Sequence, residues 1–301
     1  MELRREPIEA ALGMRIREAV SLGDDRWMLA LADGERVIVQ RYASADALAT
    51  AEAALGRLRS EVDLPLPQIR RLEIPDATSE NHWALFTGIS GDPLARKLPQ
   101  IADEALYQIG VRLGQVVYRI HRVAGGQYGA LSGNDPCAAD EERQYILARL
   151  EHDLAEAFAL NAMSNEEAAD VRRALQAFIP PGRQAALLNG GLSPETLLVT
   201  QRDGRWTLSG ILGWEYALSW CPAWEHVTFL EACEGQQCFG LRVGYGNGYD
   251  NETQRAYEQV REPALRPYRA LLALRRAVEY ARRGAHDDAR RYVSVLLRLV
   301  T

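Results

Sequence analysis

Lysine is almost missing from this 301-residue chain: Lys97 is the only one, and arginine supplies the rest of the 35 basic residues. Chemistry that needs a compact ammonium charge has that residue alone to draw on. Cysteine is scarce too. Cys137, Cys221, Cys233 and Cys238 form no C-x-x-C unit and match no zinc-site spacing, which favours reduced thiols over a disulfide framework, although Cys233 and Cys238 are close enough in sequence to bond or ligate. The histidines, His82, His121, His152, His226 and His286, are scattered, so neither they nor the cysteines predict a metal centre. No apolar run is long enough to span a bilayer, and Met1-Glu2-Leu3-Arg4-Arg5 opens no secretory leader, so the expectation is a soluble cytoplasmic protein. A net charge of -6 speaks against an indiscriminate binder of nucleic acid or anionic membrane.

What is present suffices for a substantial core, since 47% of the residues are apolar. Strand-like segments at 14–20, 27–32 and 36–40, a helix over 44–59 and further strands at 67–73 and 82–87 describe a small lobe. Ser44 is a candidate N-cap, Leu48, Ala51, Leu55 and Leu58 share one helical face, and Asp33-Gly34 is a hairpin turn. Amphipathic helices follow at 101–122, 141–158, 166–178 and 267–283, with Pro180-Pro181-Gly182 as a break. The glycine-rich stretch 240–249 reads as a flexible loop, and its G-x-G spacing is a very weak dinucleotide signal.

The most specific feature is Leu188-Asn189-Gly190-Gly191-Leu192-Ser193-Pro194-Glu195-Thr196-Leu197-Leu198-Val199. It is followed by Gly210-Ile211-Leu212-Gly213-Trp214-Glu215 and by Cys221-Pro222-Ala223-Trp224-Glu225. This series resembles the catalytic loop and sequel of the aminoglycoside-phosphotransferase and choline-kinase-like family, "L-x-H-G-D-L-S-P-x-N-x-L-V", "G-x-I-D-W-E" and "G-D-P-A-W-D". Other segments resemble family features as well: Arg36 to Tyr42 the third strand, Glu52 the helix glutamate, Leu64-Pro65-Leu66-Pro67 the "L-P-V-P" that follows the helix, Phe86 to Leu94 the lobe connector, and Gly125 to Gly129 a turn after a His-bearing helix. The resemblance spans residues 13–299. It implies an α+β, protein-kinase-like two-lobe fold, with a small β-sheet N-lobe with one helix at 1–88 and a larger, mainly helical C-lobe at 89–301 that carries the loop on a hairpin at 188–215.

Against that frame the residues that do phosphoryl-transfer chemistry are replaced. Gly191 stands where the resemblance implies the aspartate that takes the hydroxyl proton, Thr196 and Gly213 where metal ligands stand, and Asn189 where the loop histidine stands. Gln40 occupies the basic, phosphate-contacting position; a shift of one residue would put Arg41 there, on the opposite face of the strand. Ser21-Leu22-Gly23-Asp24-Asp25 is poor in glycine for a phosphate loop. The resulting expectation is a degenerate, pseudokinase-like member that binds a small molecule or a protein partner, with no cofactor and no metal. A nucleotide or ligand cleft is expected around Glu52, Phe86, Gly88, Trp214 and Glu215, with Tyr216, Trp220, Tyr245 and Tyr249 as candidate pocket aromatics. The alternative is an active phosphotransferase using ATP and magnesium, in which Glu195 or Glu215 takes over a lost role; a different reaction in a repurposed cleft is a third reading.

Overall fold

The computed structural model describes residues 3–23, 25–42, 44–59, 66–74, 82–178, 184–234, 236–253 and 265–301. Strands β1 (Ile16–Gly23), β2 (Arg26–Leu31), β3 (Arg36–Tyr42), β4 (Gln68–Leu72) and β5 (His82–Thr87) form an antiparallel sheet in the order β1-β2-β3-β5-β4. The Asp33-Gly34 turn joins β2 to β3: Gly34 sits at φ 93, and the Glu35 amide donates to Asp33 Oδ1 at 2.9 Å. Helix α2 (Ala45–Leu58) starts at Ser44, whose Oγ accepts the Ala47 amide at 3.2 Å. It lays Leu48, Ala51, Leu55 and Leu58 into the same core as Met28, Ile38 and Phe86.

One small-lobe helix was expected, and there is a second. Helix α1 (Arg5–Leu12) belongs to another cluster, in which Ile8 joins Trp27, Leu29, Val37 and Val39. Alternate residues of β3 thus enter different cores, Ile38 on one face and Val37 and Val39 on the other. Coverage of both faces explains why β3 is apolar without alternation.

The helical lobe opens with β6 (Asp92–Pro93), α3 (Leu94–Lys97) and the long α4 (Asp103–His121), then β7 (Gly129–Ala130), α5 (Glu142–Ala159) and α6 (Asn165–Gln176). Strands β8 (Ala186–Leu188), β9 (Leu197–Arg202), β10 (Arg205–Ile211) and β11 (Leu218–Trp220) build two small sheets, β10-β9-β6 and β7-β11-β8. The chain ends with α7 (Pro222–Ala232), α8 (Phe239–Thr253), α9 (Arg266–Arg282) and α10 (His286–Val300). No described helix is long and apolar enough to cross a membrane. The break at 180–182 and parts of the 24–25 and 64–67 motifs lie outside the described residues.

Helix α8 overturns the reading of 240–249 as a flexible loop. Its glycines weaken the helix locally, but Gly240, Gly244 and Gly248 recur every fourth residue and so form one stripe. A Cβ on Gly244 would lie 2.1 Å from the Tyr107 carbonyl oxygen, and one on Gly110 would lie 2.3 Å from that of Leu241. Helices α4 and α8 therefore pack backbone to backbone. Tertiary contact makes this helix where propensity does not.

Candidate functional site

The loop after β8 is held from below by a buried carboxylate. Glu225 is fully buried on α7; its Oε1 accepts the Gly190 amide at 2.7 Å and its Oε2 accepts the Asn189 amide at 3.2 Å. His121 Nε2 lies 2.9 Å from the same Oε2, and since a carboxylate only accepts, Nε2 donates. The other ring nitrogen lies 3.0 Å from the Tyr249 hydroxyl, so α4, α7 and α8 all converge on the loop. Pro222 at the start of α7 pre-sets the helix geometry that presents Glu225. Glu225 closes the Pro222-Ala223-Trp224-Glu225 motif; its sequence signal was its match to the last Asp of the family's "P-A-W-D".

Above this clamp the substituted positions are tied to one another. Asn189 Nδ2 donates to the Leu212 carbonyl at 3.2 Å, and Asn189 Oδ1 accepts the Gly191 amide at 3.1 Å. Thr196 Oγ1 donates toward the Gly191 carbonyl at 2.8 Å and the Ser193 carbonyl at 3.1 Å, and accepts the Ser193 amide at 2.9 Å. A Cβ at Gly191 would lie 2.6 Å from the Tyr216 ring. Gly213 has φ +84, and a Cβ there would lie 3.1 Å from the Thr196 methyl. A side chain at Gly191 thus requires the ring of Tyr216, an exposed side chain, to move aside.

These residues do not fit magnesium. The ion needs hard oxygen ligands in near-octahedral array, whereas the Thr196 hydroxyl is internally engaged and two of the positions have no side chain. Of the nearby carboxylates, Glu215 is paired with Arg26 and Asp25 with Arg41, whose charges oppose a second cation, and Glu195 accepts Gln236 Nε2 at 3.4 Å. Among the described residues no group of three or more His, Cys, Asp or Glu is placed to hold a metal.

Arg26 is the residue the sequence reading missed. It lies opposite Gln40 in the β2–β3 register and reaches across to Glu215, beyond the Gly213 turn. Both side chains are largely shielded, at 12% and 9% exposure. The positive charge absent from Gln40 is therefore supplied by the neighbouring strand, but it is spent on a protein carboxylate. Gln40 itself is buried, while Arg41 pairs with Asp25. Glu52 binds Arg71 of β4 through both oxygens, at 2.9 and 2.7 Å, in a largely solvent-facing pair. Lys97 pairs with Asp92.

Two cavities flank the loop. One of about 640 Å³ lies beneath the sheet and is lined by Arg26, Gln40, Arg41, Glu195, Thr196 and Glu215 among others. The other, about 430 Å³, lies on the helical side against Gly190, Gly191, Tyr216, Trp224, Arg149 and Arg275. Glu215 and Tyr216 line both and so stand between them. Of the expected cleft residues, Glu215 alone lines these cavities. Phe86 and Trp214 are buried in the core, the Trp214 indole donating to the Ile211 carbonyl at 2.7 Å; Gly88, at φ +78, turns the lobe connector; Glu52 faces Arg71. Trp220 and Tyr245 are core residues as well, and Tyr249 serves His121, which leaves Tyr216 as the one pocket aromatic of that group. Arg149 and Arg275, on separate helices, had no local sequence signal.

The model of the phosphotransferase enzyme family, APH, matches residues 18–271. No curated protein sequence matches significantly. Among solved structures, a thermostable mutant of aminoglycoside phosphotransferase APH(4)-Ia superposes with a TM-score of 0.72 at 14% identity, over 98% of both chains. Macrolide 2'-phosphotransferase MphH from Brachybacterium faecium superposes with a TM-score of 0.62 at 17% identity, over 95% of this chain and 96% of that one. These likenesses establish the protein-kinase-like fold, with its antiparallel N-terminal sheet and helical C-lobe. With most of its length matched by the family model, the chain belongs to the phosphotransferase enzyme family.

Proposed function

We propose that this family member acts by binding a small molecule in the cleft beside its loop remnant and does not transfer phosphate. The observation that carries the reading is the mutual packing of Gly191, Thr196, Gly213 and Tyr216. The positions that would hold a general base and metal-binding groups lack them, and a side chain at Gly191 would have to displace the Tyr216 ring. Loss of a positioned general base alone costs on the order of 10²–10⁴-fold in rate. A structural neighbour has been crystallised with ADP and hygromycin B; here the cavity beneath the sheet is lined by the Arg26–Glu215 pair. The four cysteines stand as free thiols, which fits the cytoplasm we assign to it.

A second reading, ATP-dependent transfer with Glu215 in a relocated role, draws support from the position of Glu215 between the two cavities. The deciding experiment is calorimetric titration of ATP with and without magnesium, paired with a nucleotide-turnover assay. We expect no magnesium-dependent turnover. Turnover that Glu215→Gln abolishes would replace our reading with the second one.

A further inference from the structure

The helical-side cavity has an uneven supply of hydrogen bonds. Each carboxylate on its wall already has a partner in the protein, with Glu215 Oε2 the one oxygen buried without a hydrogen bond among the described residues. Asp135 accepts the backbone amides of Ala130 at 3.1 Å and Cys137 at 2.9 Å, as well as the Tyr145 hydroxyl at 3.3 Å. Glu215 is held by Arg26. Glu279 takes Arg275 Nε at 3.2 Å and Arg276 Nη1 at 2.7 Å, and Arg276 is further bound by Glu231.

Two guanidinium groups on the same wall are not used up. Arg149 comes only within 3.7 Å of Asp153, too long for a hydrogen bond, and its side chain is 21% exposed. Arg275 spends Nε on Glu279, and its two terminal nitrogens have no hydrogen-bond partner among the described residues. Its Cζ lies 6.0 Å from the centroid of the Trp224 ring, which steadies the group over an aromatic face. Both arginines act electrostatically on Tyr145 and on Asp153, so they converge on one region of the wall. A guanidinium presents its donors in a planar fork that matches carboxylate and phosphate oxygens. A cationic ligand would find each lining carboxylate already paired, apart from Glu215 Oε2, and would meet guanidinium groups that still have N–H donors to offer.

We infer that this cavity takes a small organic oxyanion, a carboxylate or a phosphate monoester, gripped by Arg149 and Arg275, with the apolar part of the ligand against Tyr216. The cavity volume of about 430 Å³ suits a small molecule. This rests on the reading that the cleft binds a small molecule, and it names the ligand's chemistry.

The test titrates phenyl phosphate, phenylacetate and spermidine separately into the full chain, following tryptophan fluorescence and the thermal midpoint. At least one anion should saturate, and R149Q and R275Q should each weaken it about tenfold; spermidine should do neither. Which anion binds identifies the oxyanion. R275K retains the charge and the stem but loses the fork, and it should weaken binding as well, which keeps the test decisive if R275Q folds poorly. The inference is overturned if spermidine binds as tightly as the anions, if neither anion binds, or if the arginine variants bind the anion unchanged. Magnesium-dependent nucleotide turnover in the same preparation would overturn the non-catalytic reading and leave the anion result standing.

Discussion

The Gly190 amide meets Glu225 Oε1 at 2.7 Å, so a buried carboxylate 35 residues further along the chain sets the position of the loop. Gly190 can stand there because its φ is +73 and because a Cβ would fall 2.0 Å from the Tyr216 carbonyl oxygen. Replacing Glu225 by Ala strands two amides and the His121 ring. The expected loss is about 3 kcal/mol or more of unfolding free energy, at least the upper range for a charged hydrogen-bonding group. Denaturant titration measures it; a loss under half that would show the loop to be held by other contacts.

The Arg26–Glu215 pair joins the sheet to the loop in a shielded setting. Arg26→Met alone leaves an unpaired, largely buried carboxylate and should cost about 3–5 kcal/mol. Arg26→Met combined with Glu215→Gln removes both charges and should recover most of that. A double-mutant cycle by chemical denaturation reads the coupling, and strictly additive effects would rule out a direct pair.

Restoring the family carboxylates should not restore chemistry. An aspartate at Gly191 meets the Tyr216 ring, and one at Gly213 must adopt φ +84 beside Thr196. We expect Gly191→Asp with Gly213→Asp to be less stable than wild type and to show no magnesium-dependent nucleotide hydrolysis. Hydrolysis by that variant would mean that the loop opens enough to admit the groups.

The α4–α8 contact leaves no room for a methyl group. Gly244→Ala brings a Cβ within 2.1 Å of the Tyr107 carbonyl and should cost roughly 1–3 kcal/mol, the usual range for overpacking. The same substitution at the open Gly56 of α2 should be neutral or stabilising, because no atom lies within 4 Å of a Cβ there. Thermal midpoints of the two variants give the comparison.

His226 is buried beside His121, with Nδ1 2.7 Å from the Tyr245 hydroxyl. Burial, reinforced by the His121 charge, pushes its pKa down from 6.5 to about 3. The unfolded chain therefore binds a proton between those values that the folded one refuses. The contribution of His226 to stability is complete above pH 6.5 and falls as the pH is lowered toward about 3, by up to ~1.4 kcal/mol per pH unit. Unfolding curves for wild type and His226→Gln should converge in slope above pH 7 and separate below 6, with wild type steeper. Equal slopes throughout would show that His226 titrates normally.

Local patterns carried much of the fold. Ser44 capped the helix it was expected to cap, Asp33-Gly34 made its turn, and the apolar face of α2 packed as its spacing required, because each depends on neighbours within a few residues. Helix α1 and the glycine-striped α8 were not legible in that way. Each exists by packing on a distant surface, and for α8 the local glycine propensity points the other way.

The frame around residues 188–225 carries the family in the order of its residues, and the same residues carry the lack of carboxylates at Gly191 and Gly213, since a side chain that is not encoded cannot be supplied by folding. What stands around those positions came from packing: Tyr216 over Gly191, Arg26 turned to Glu215, Glu225 under the loop, and Arg149 and Arg275 on one cavity. These contacts join residues on separate strands and helices. Their distances depend on how the elements pack, and no local period or spacing along the chain encodes that.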